Sequence, residues 1–127
     1  MKNNSNNERR AEKRMSCHWP IWYVKEPNIK LKQGQMIDIS SRAASFTCYS
    51  HENHLLPDQN IVTNFSLPIY GLRDSFALRD FTRSGCVLRI DSINKILFRI
   101  VTQFVEMLSF KPGEQESIEA DFITLLK

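Results

Sequence analysis

The sequence predicts a mainly β fold, a small antiparallel barrel or sandwich that ends in one helix. Several short segments rich in aromatic and β-branched residues are separated by proline, glycine and asparagine turn signals. The last segment, about residues 114–127, instead repeats apolar residues at helical spacing. With 127 residues, the chain is long enough for one domain with a core and too short for two.

The predicted strands follow from local pattern. They are residues 15–24, 34–40, 45–49 and 61–67, then one long bent strand or two short ones within 76–90. Alternation is clearest in residues 61–67, where Ile61, Thr63, Phe65 and Leu67 share one face. Pro20 removes a backbone donor, so it belongs at an edge or a bulge of its strand. Residues 96–108 fit a helical stripe and an alternating strand equally well.

Charge divides the chain into two parts, a polar N-terminal arm over residues 1–14 and a domain over residues 15–127. The arm, which we expect to be flexible, holds five basic and two acidic side chains, and the domain holds twelve of each. The net charge of +3 therefore lies in the arm. A cationic arm on a neutral body suggests capture of a small anion or a nucleic-acid tail, and it argues against a broad basic face for duplex DNA.

Two groups of polar residues could act together. Arg10 and Arg14 stand four residues apart, so in a helical turn or in an extended chain both guanidinium groups lie on one side. Farther along, Asp38 and Ser40 alternate with Ile37 and Ile39. If the isoleucines face the core, the carboxylate and the hydroxyl face outward side by side.

These residues resemble, in type and order, the signature of the PilZ domain family. That signature is Arg-x-x-x-Arg followed by Asp/Asn-x-Ser-x-x-Gly, and the similarity covers about residues 9–125 of this chain. The resemblance implies a six-stranded antiparallel β-barrel with a C-terminal helix. It also favours a strand for residues 96–108. Members of the family bind the bacterial second messenger cyclic di-GMP, which the resemblance implies as the ligand here.

The resemblance carries over residue by residue to a predicted ligand-binding set: Arg9, Arg10, Arg14, Asp38, Ser40, Arg42 and Ala43. Arg10 and Arg14 match the two family arginines, and Arg9 matches a frequent additional basic residue. Asp38 and Ser40 match the carboxylate and the hydroxyl of the second motif. Ala43 departs from the family's glycine. If that position requires a positive φ, alanine costs on the order of 1 kcal/mol there.

The implied function is that of a cytoplasmic bacterial receptor without enzymatic activity. Cyclic di-GMP would order the arginine arm on the barrel, and the changed surface would signal to a protein partner, as in the control of motility or biofilm formation. Two other functions remain open. The chain could be a PilZ-like protein-interaction module without ligand. It could also be a small barrel that grips single-stranded nucleic acid on aromatic side chains such as Trp19 and Trp22.

The sequence lacks the motifs that are typical of several enzyme, metal-binding and membrane classes. There is no nucleophile-elbow, phosphate-loop, dinucleotide-binding or zinc-protease motif. The three cysteines are odd in number and have no Cys-x-x-Cys spacing, so we expect reduced thiols and no metal site. The longest apolar run, residues 96–110, includes charged side chains and does not predict a membrane span. The N-terminus lacks the apolar segment of a secretory signal.

Overall fold

The structure is a computed structural model that describes residues 12–26, 30–49, 55–70 and 76–115. Within these residues the chain forms seven β-strands and one 3-10 turn. The strands are β1 (Met15–Ser16), β2 (Pro20–Lys25), β3 (Lys32–Ile39), β4 (Ala43–Tyr49), β5 (Asn60–Tyr70), β6 (Phe76–Ser92) and β7 (Leu97–Phe104). The 3-10 turn, Pro112–Glu114, follows β7.

Six of the strands close into an antiparallel barrel. Hydrogen-bonded neighbours follow the order β3-β2-β5-β6-β7-β4, and β4 pairs back with β3 to complete the ring. β1 lies outside the ring and pairs with the end of β3, with Met15 opposite Ile39 and Ser16 opposite Asp38. The predicted six-stranded antiparallel barrel is therefore confirmed. Closure of this kind satisfies strand edges that an open sheet would leave exposed.

Alternation along β5 builds one wall of the core. The inward residues Ile61, Thr63, Phe65 and Leu67 are at most 2% exposed, as the period of two predicts. The Thr63 hydroxyl donates to the backbone oxygen of Arg83 at 3.0 Å, so this buried polar group has its partner. The Phe65 ring stacks with those of Phe81 and Phe104, at centroid distances of 5.9 and 5.7 Å. Aromatic stacking thus links β5, β6 and β7 across the core.

β3 departs from the predicted alternation. A β-bulge falls between Met36 and Asp38 where β3 pairs with β4. Met36 and Ile39 therefore fill the buried positions, at 1% and 0% exposed, while Ile37 is only partly buried. The predicted alternation, which places Ile37 and Ile39 on one face, is wrong here, because the extra residue of the bulge shifts it by one. Asp38 pairs with Ser45 and still faces away from the core.

The strand predicted over residues 15–24 is interrupted but keeps to one path along β3. Between β1 and β2, the Cys17 amide donates to the Ile37 oxygen and the Met36 amide donates to the Trp19 oxygen, both at 3.0 Å. Pro20 is the first residue of β2, a position where its missing N–H is tolerated. This path carries the chain from the N-terminal arm into the barrel beside Asp38.

The two uncertain regions of the sequence both form strands. Residues 76–90 lie in the single long strand β6, whose register with β7 shifts between Val87 and Arg89. Within residues 96–108 the strand β7 spans Leu97–Phe104, as the resemblance favours. β7 lies between β4 and β6 and hydrogen-bonds to both. Pairing on both sides therefore selects the strand over the equally patterned helix.

The predicted C-terminal helix over about residues 114–127 is not found among the described residues. Glu114 ends the 3-10 turn, and Gln115 is extended with φ −71° and ψ 129°. The Gln115 side-chain amide donates to the Pro68 oxygen at 3.0 Å and ties this segment to β5. Residues 116–127 lie outside the described residues. Across the described ranges, no helix is long and apolar enough to cross a membrane.

Candidate functional site

The candidate site lies at the turn that joins β3 to β4. The Ser40 hydroxyl oxygen accepts from the backbone N–H groups of Arg42 and Ala43, each at 3.2 Å. The Ser40 amide also donates to the Ala43 oxygen at 2.8 Å. These bonds follow the usual way in which a serine closes a short turn. The side chain of Ser40 thus shapes the turn, and Arg42 at its corner is exposed to solvent.

The departure from glycine at Ala43 carries no backbone strain. Among the described non-glycine residues, Asp58 alone has a positive φ, of 70°. Ala43 is the first residue of β4 and takes an ordinary strand conformation. The condition under which alanine would be costly here is therefore not met.

Asp38 is the centre of the site. Its Oδ1 accepts from the Ser45 hydroxyl at 2.8 Å, and its Oδ2 lies 3.9 Å from the Arg14 guanidinium. The Asp38 side chain is 21% exposed and that of Arg14 is 44% exposed. The carboxylate is thus oriented from one side by a buried hydroxyl, and its other oxygen faces a cation at the edge of solvent.

The segment before β1 is held in place by contacts of three consecutive residues, Glu12, Lys13 and Arg14. The Glu12 carboxylate accepts from the backbone N–H of Ser41 at 2.7 Å and from its hydroxyl at 2.8 Å. The Lys13 amide donates to the Glu114 carboxylate at 2.9 Å. At Gly113 an added Cβ would lie 2.6 Å from the carbonyl carbon of Arg14, so only glycine allows this close approach. These contacts bring Arg14 to the β3–β4 turn.

Of the seven residues predicted for the site, the structure brings five together at this corner: Arg14, Asp38, Ser40, Arg42 and Ala43. Arg9 and Arg10 lie outside the described residues, as do residues 1–11 of the predicted flexible arm. Sequence reasoning missed Glu12, Ser41 and Ser45. Ser45 could have been found from the register of the β3–β4 hairpin, in which Ile39 lies opposite Ala44 and Asp38 opposite Ser45.

Cys17 lies close to this site but is poorly suited to chemistry. The side chain is fully buried. Burial, with a smaller contribution from the Asp38 charge, raises the pKa of the Cys17 thiol from its usual value of 9.0 to about 12. A thiol with a raised pKa stays protonated at neutral pH, and the protonated form is a weak nucleophile.

We expect the raised pKa of Cys17 to make the protein less stable between about pH 9 and pH 12. In this window the thiol of the unfolded state releases its proton while the folded thiol keeps it. Deprotonation therefore stabilises the unfolded state relative to the folded state. The free energy of unfolding should fall by about 1.4 kcal/mol per pH unit from this group. Urea unfolding at several pH values gives the change in the free energy of unfolding with pH. The difference between the wild type and Cys17→Ala is the contribution of Cys17. Equal slopes in both proteins would contradict the assignment.

Metal-binding side chains do not cluster in the described part of the chain. No group of three or more His, Cys, Asp or Glu residues there is placed to hold a metal ion. His51 and His54 lie outside the described residues. The corner presents guanidinium donors and one oriented carboxylate acceptor. Such a set suits a ligand that carries both an anionic group and a planar ring with N–H donors.

A scan of protein-family models finds no match. A search of curated proteins also finds no significant match.

Proposed function

We propose that this protein is a cyclic di-GMP receptor of the PilZ type and has no enzymatic activity. The observation that carries the proposal is the approach of Arg14 to Asp38, from 24 positions apart in the chain, at a turn formed by Ser40 and Arg42. The closed six-stranded antiparallel barrel supports it, since this is the fold that the resemblance implies. The proposal makes the β3–β4 corner the principal ligand site.

The ligand's chemistry matches the side chains at this corner. Cyclic di-GMP carries two guanines and two phosphates on one ring. Arginine can bond in a bidentate way to guanine O6 and N7 or to phosphate oxygens, which suits Arg14 and Arg42. The Oδ2 atom of Asp38 can accept from the guanine N1–H and N2–H donors. Ser40 contributes mainly by shaping the turn, because its hydroxyl oxygen already accepts two backbone N–H bonds.

The Arg14–Asp38 pair is loose enough for a ligand to replace it. The two groups are 3.9 Å apart and both are partly exposed, so their mutual attraction contributes at most about 1 kcal/mol. Charge-assisted hydrogen bonds to a guanine or a phosphate are shorter and individually stronger. The unliganded contact therefore orients the two side chains without competing strongly against the ligand.

The proposal includes a signalling step. Bound ligand would draw Arg9 and Arg10 to the same surface as Arg14, because each guanidinium can meet a phosphate or guanine oxygen. This would create a surface that a protein partner recognises, as in bacterial control of motility or biofilm formation. Because nucleotide second messengers act inside the cell, the proposed receptor is cytoplasmic.

The test is a calorimetric titration of the protein with cyclic di-GMP, beside an Arg10→Ala/Arg14→Ala double variant. We expect saturable binding at micromolar or lower concentration in the wild type and none in the double variant. Arg79→Ala/Arg89→Ala removes the same charge from exposed positions of β6 and should bind normally. Absence of binding in the wild type would reject the proposal. It would turn attention to a ligand-free protein-interaction module or to single-stranded nucleic acid.

A further inference from the structure

A groove runs along the outer face of β3 and β4, next to the Asp38 corner. Its volume is about 850 Å³, and it is lined by Trp22, Lys30, Leu31, Lys32, Gln33, Gly34, Gln35, Thr47, Cys48, Tyr49 and Leu97. None of the residues used in the proposed site lines it. Its aromatic, amide and lysine side chains thus form a second set of potential ligand contacts.

The groove continues directly from the proposed site. In the β3–β4 register, Asp38 pairs with Ser45 and Gln35 pairs with Thr47. From Asp38 to Gln33 is five positions along β3, or about 16 Å at the usual rise of a strand. A ligand anchored at Asp38 can therefore extend over Gln35 into the groove along the same face of the barrel.

Two aromatic side chains stand on opposite sides of this groove. Trp22 projects from β2 opposite Gln33, and Tyr49 projects from the end of β4. They are 38% and 52% exposed, so each offers part of a ring face to solvent. Because β3 lies between their strands, their backbones are about 10 Å apart. This spacing leaves room for a planar base to stack on one ring and contact the other.

Charge in the groove favours an anionic ligand. Lys30 and Lys32 lie at its end, and no acidic side chain is present among the described residues that line it. Exposed Gln33 adds an amide that can both donate to and accept from the edge of a base. Aromatic rings combined with lysines and amides are typical of sites that bind nucleotides.

We propose that this groove is a subsite for the second guanine of cyclic di-GMP, which stacks on Trp22 and contacts Tyr49, while the lysines at the groove's end favour the anionic ligand by longer-range attraction. This inference rests on the proposed function, because the first guanine is held at Asp38. The ligand then lies extended along β3, one guanine at each end. Trp22 is the main affinity determinant of the subsite, since indole offers the largest stacking surface of the two rings.

Tryptophan fluorescence tests the subsite directly, because the protein has two tryptophans. Trp19→Phe leaves Trp22 as the only emitter, and Trp22→Phe leaves Trp19, whose indole donates to the Ser66 oxygen at 2.6 Å. On titration with cyclic di-GMP, we expect quenching in Trp19→Phe and little change in Trp22→Phe. Calorimetry on Trp22→Ala supplies a second readout and should show binding about ten-fold weaker or more. Tyr70→Ala, at another exposed aromatic on β5, should bind normally.

The outcomes separate this inference from the proposed function. Tight binding that needs Arg14 but leaves Trp22 emission and Trp22→Ala affinity unchanged would overturn the subsite and leave the receptor intact. No binding of cyclic di-GMP to the wild type would overturn both. If a single-stranded RNA pentamer quenched Trp22 as strongly in an Arg14→Ala variant, with steep salt dependence, the groove would be a strand-binding surface and the inference would fail.

Discussion

Replacing Asp38 by alanine should weaken cyclic di-GMP binding by at least about 100-fold and lower the melting temperature by only a few degrees. Asp38 is the acceptor for two guanine donors in the proposed complex, and hydrogen bonds to a charged group contribute about 1.5–3 kcal/mol each. In the free protein the carboxylate has one hydrogen bond, from Ser45, and a loose contact with Arg14. Its loss there should cost about 1 kcal/mol. Calorimetry and thermal melts measure the two effects.

Two further variants control this result. Asp38→Asn has a single side-chain oxygen, which either the Ser45 hydroxyl or the guanine can use, so its affinity should fall between those of the wild type and Asp38→Ala. Asp91 is also an exposed carboxylate paired with an arginine, Arg89, at 3.0 Å, but it lies on β6 away from the corner. Asp91→Ala should therefore bind normally. A large drop in the melting temperature of unliganded Asp38→Ala would identify a structural residue instead.

Truncating Phe65 to alanine should destabilise the barrel by about 3–5 kcal/mol. Phe65 is 2% exposed and stacks with Phe81 and Phe104, so its removal leaves a cavity where β5, β6 and β7 meet. Since small domains have about 5–15 kcal/mol of stability, the variant would lose a large part of it. Urea unfolding followed by circular dichroism gives the change from the midpoint at constant slope.

Leu78→Ala is the matched control for the core prediction. Leu78 lies on β6 and is 66% exposed, so its truncation should change stability by less than about 0.5 kcal/mol. If Phe65→Ala and Leu78→Ala had equal effects, the packing of β5 against the core would be wrong.

Most strands of the barrel could be predicted from sequence because the pattern that indicates each strand is local. In β5 the buried residues recur at every second position, and each turn signal lies next to the strand it ends. The residue types of the site were also readable, since Arg14 and Asp38 match the two motifs on which the resemblance rests. The bulge in β3 could not be read in this way. It depends on how β3 fits against β4 and moves Ile37 out of the core position without any change in the residue pattern.

The C-terminal segment shows the same limit. Of the segment with helical apolar spacing, residues 114–127, the structure describes only the first two: Glu114 ends the 3-10 turn and Gln115 is extended against β5. Side-chain bonds to the Pro68 oxygen and the Tyr70 amide hold Gln115 there. These tertiary hydrogen bonds therefore set the extended conformation of Gln115, and residues 116–127 lie outside the described residues.

By itself, the sequence determined the β class, the inward face of β5 and the residue types that meet at the β3–β4 corner. Each of these follows from neighbouring residues, through alternation, turn chemistry and side-chain type. Tertiary structure decided the rest: ring closure between β3 and β4, the bulge before Asp38, and the contacts of Glu12 and Gly113 that bring Arg14 to the corner. These features depend on contacts between segments that lie far apart in the chain. A local sequence pattern carries no information about the free energies of such contacts.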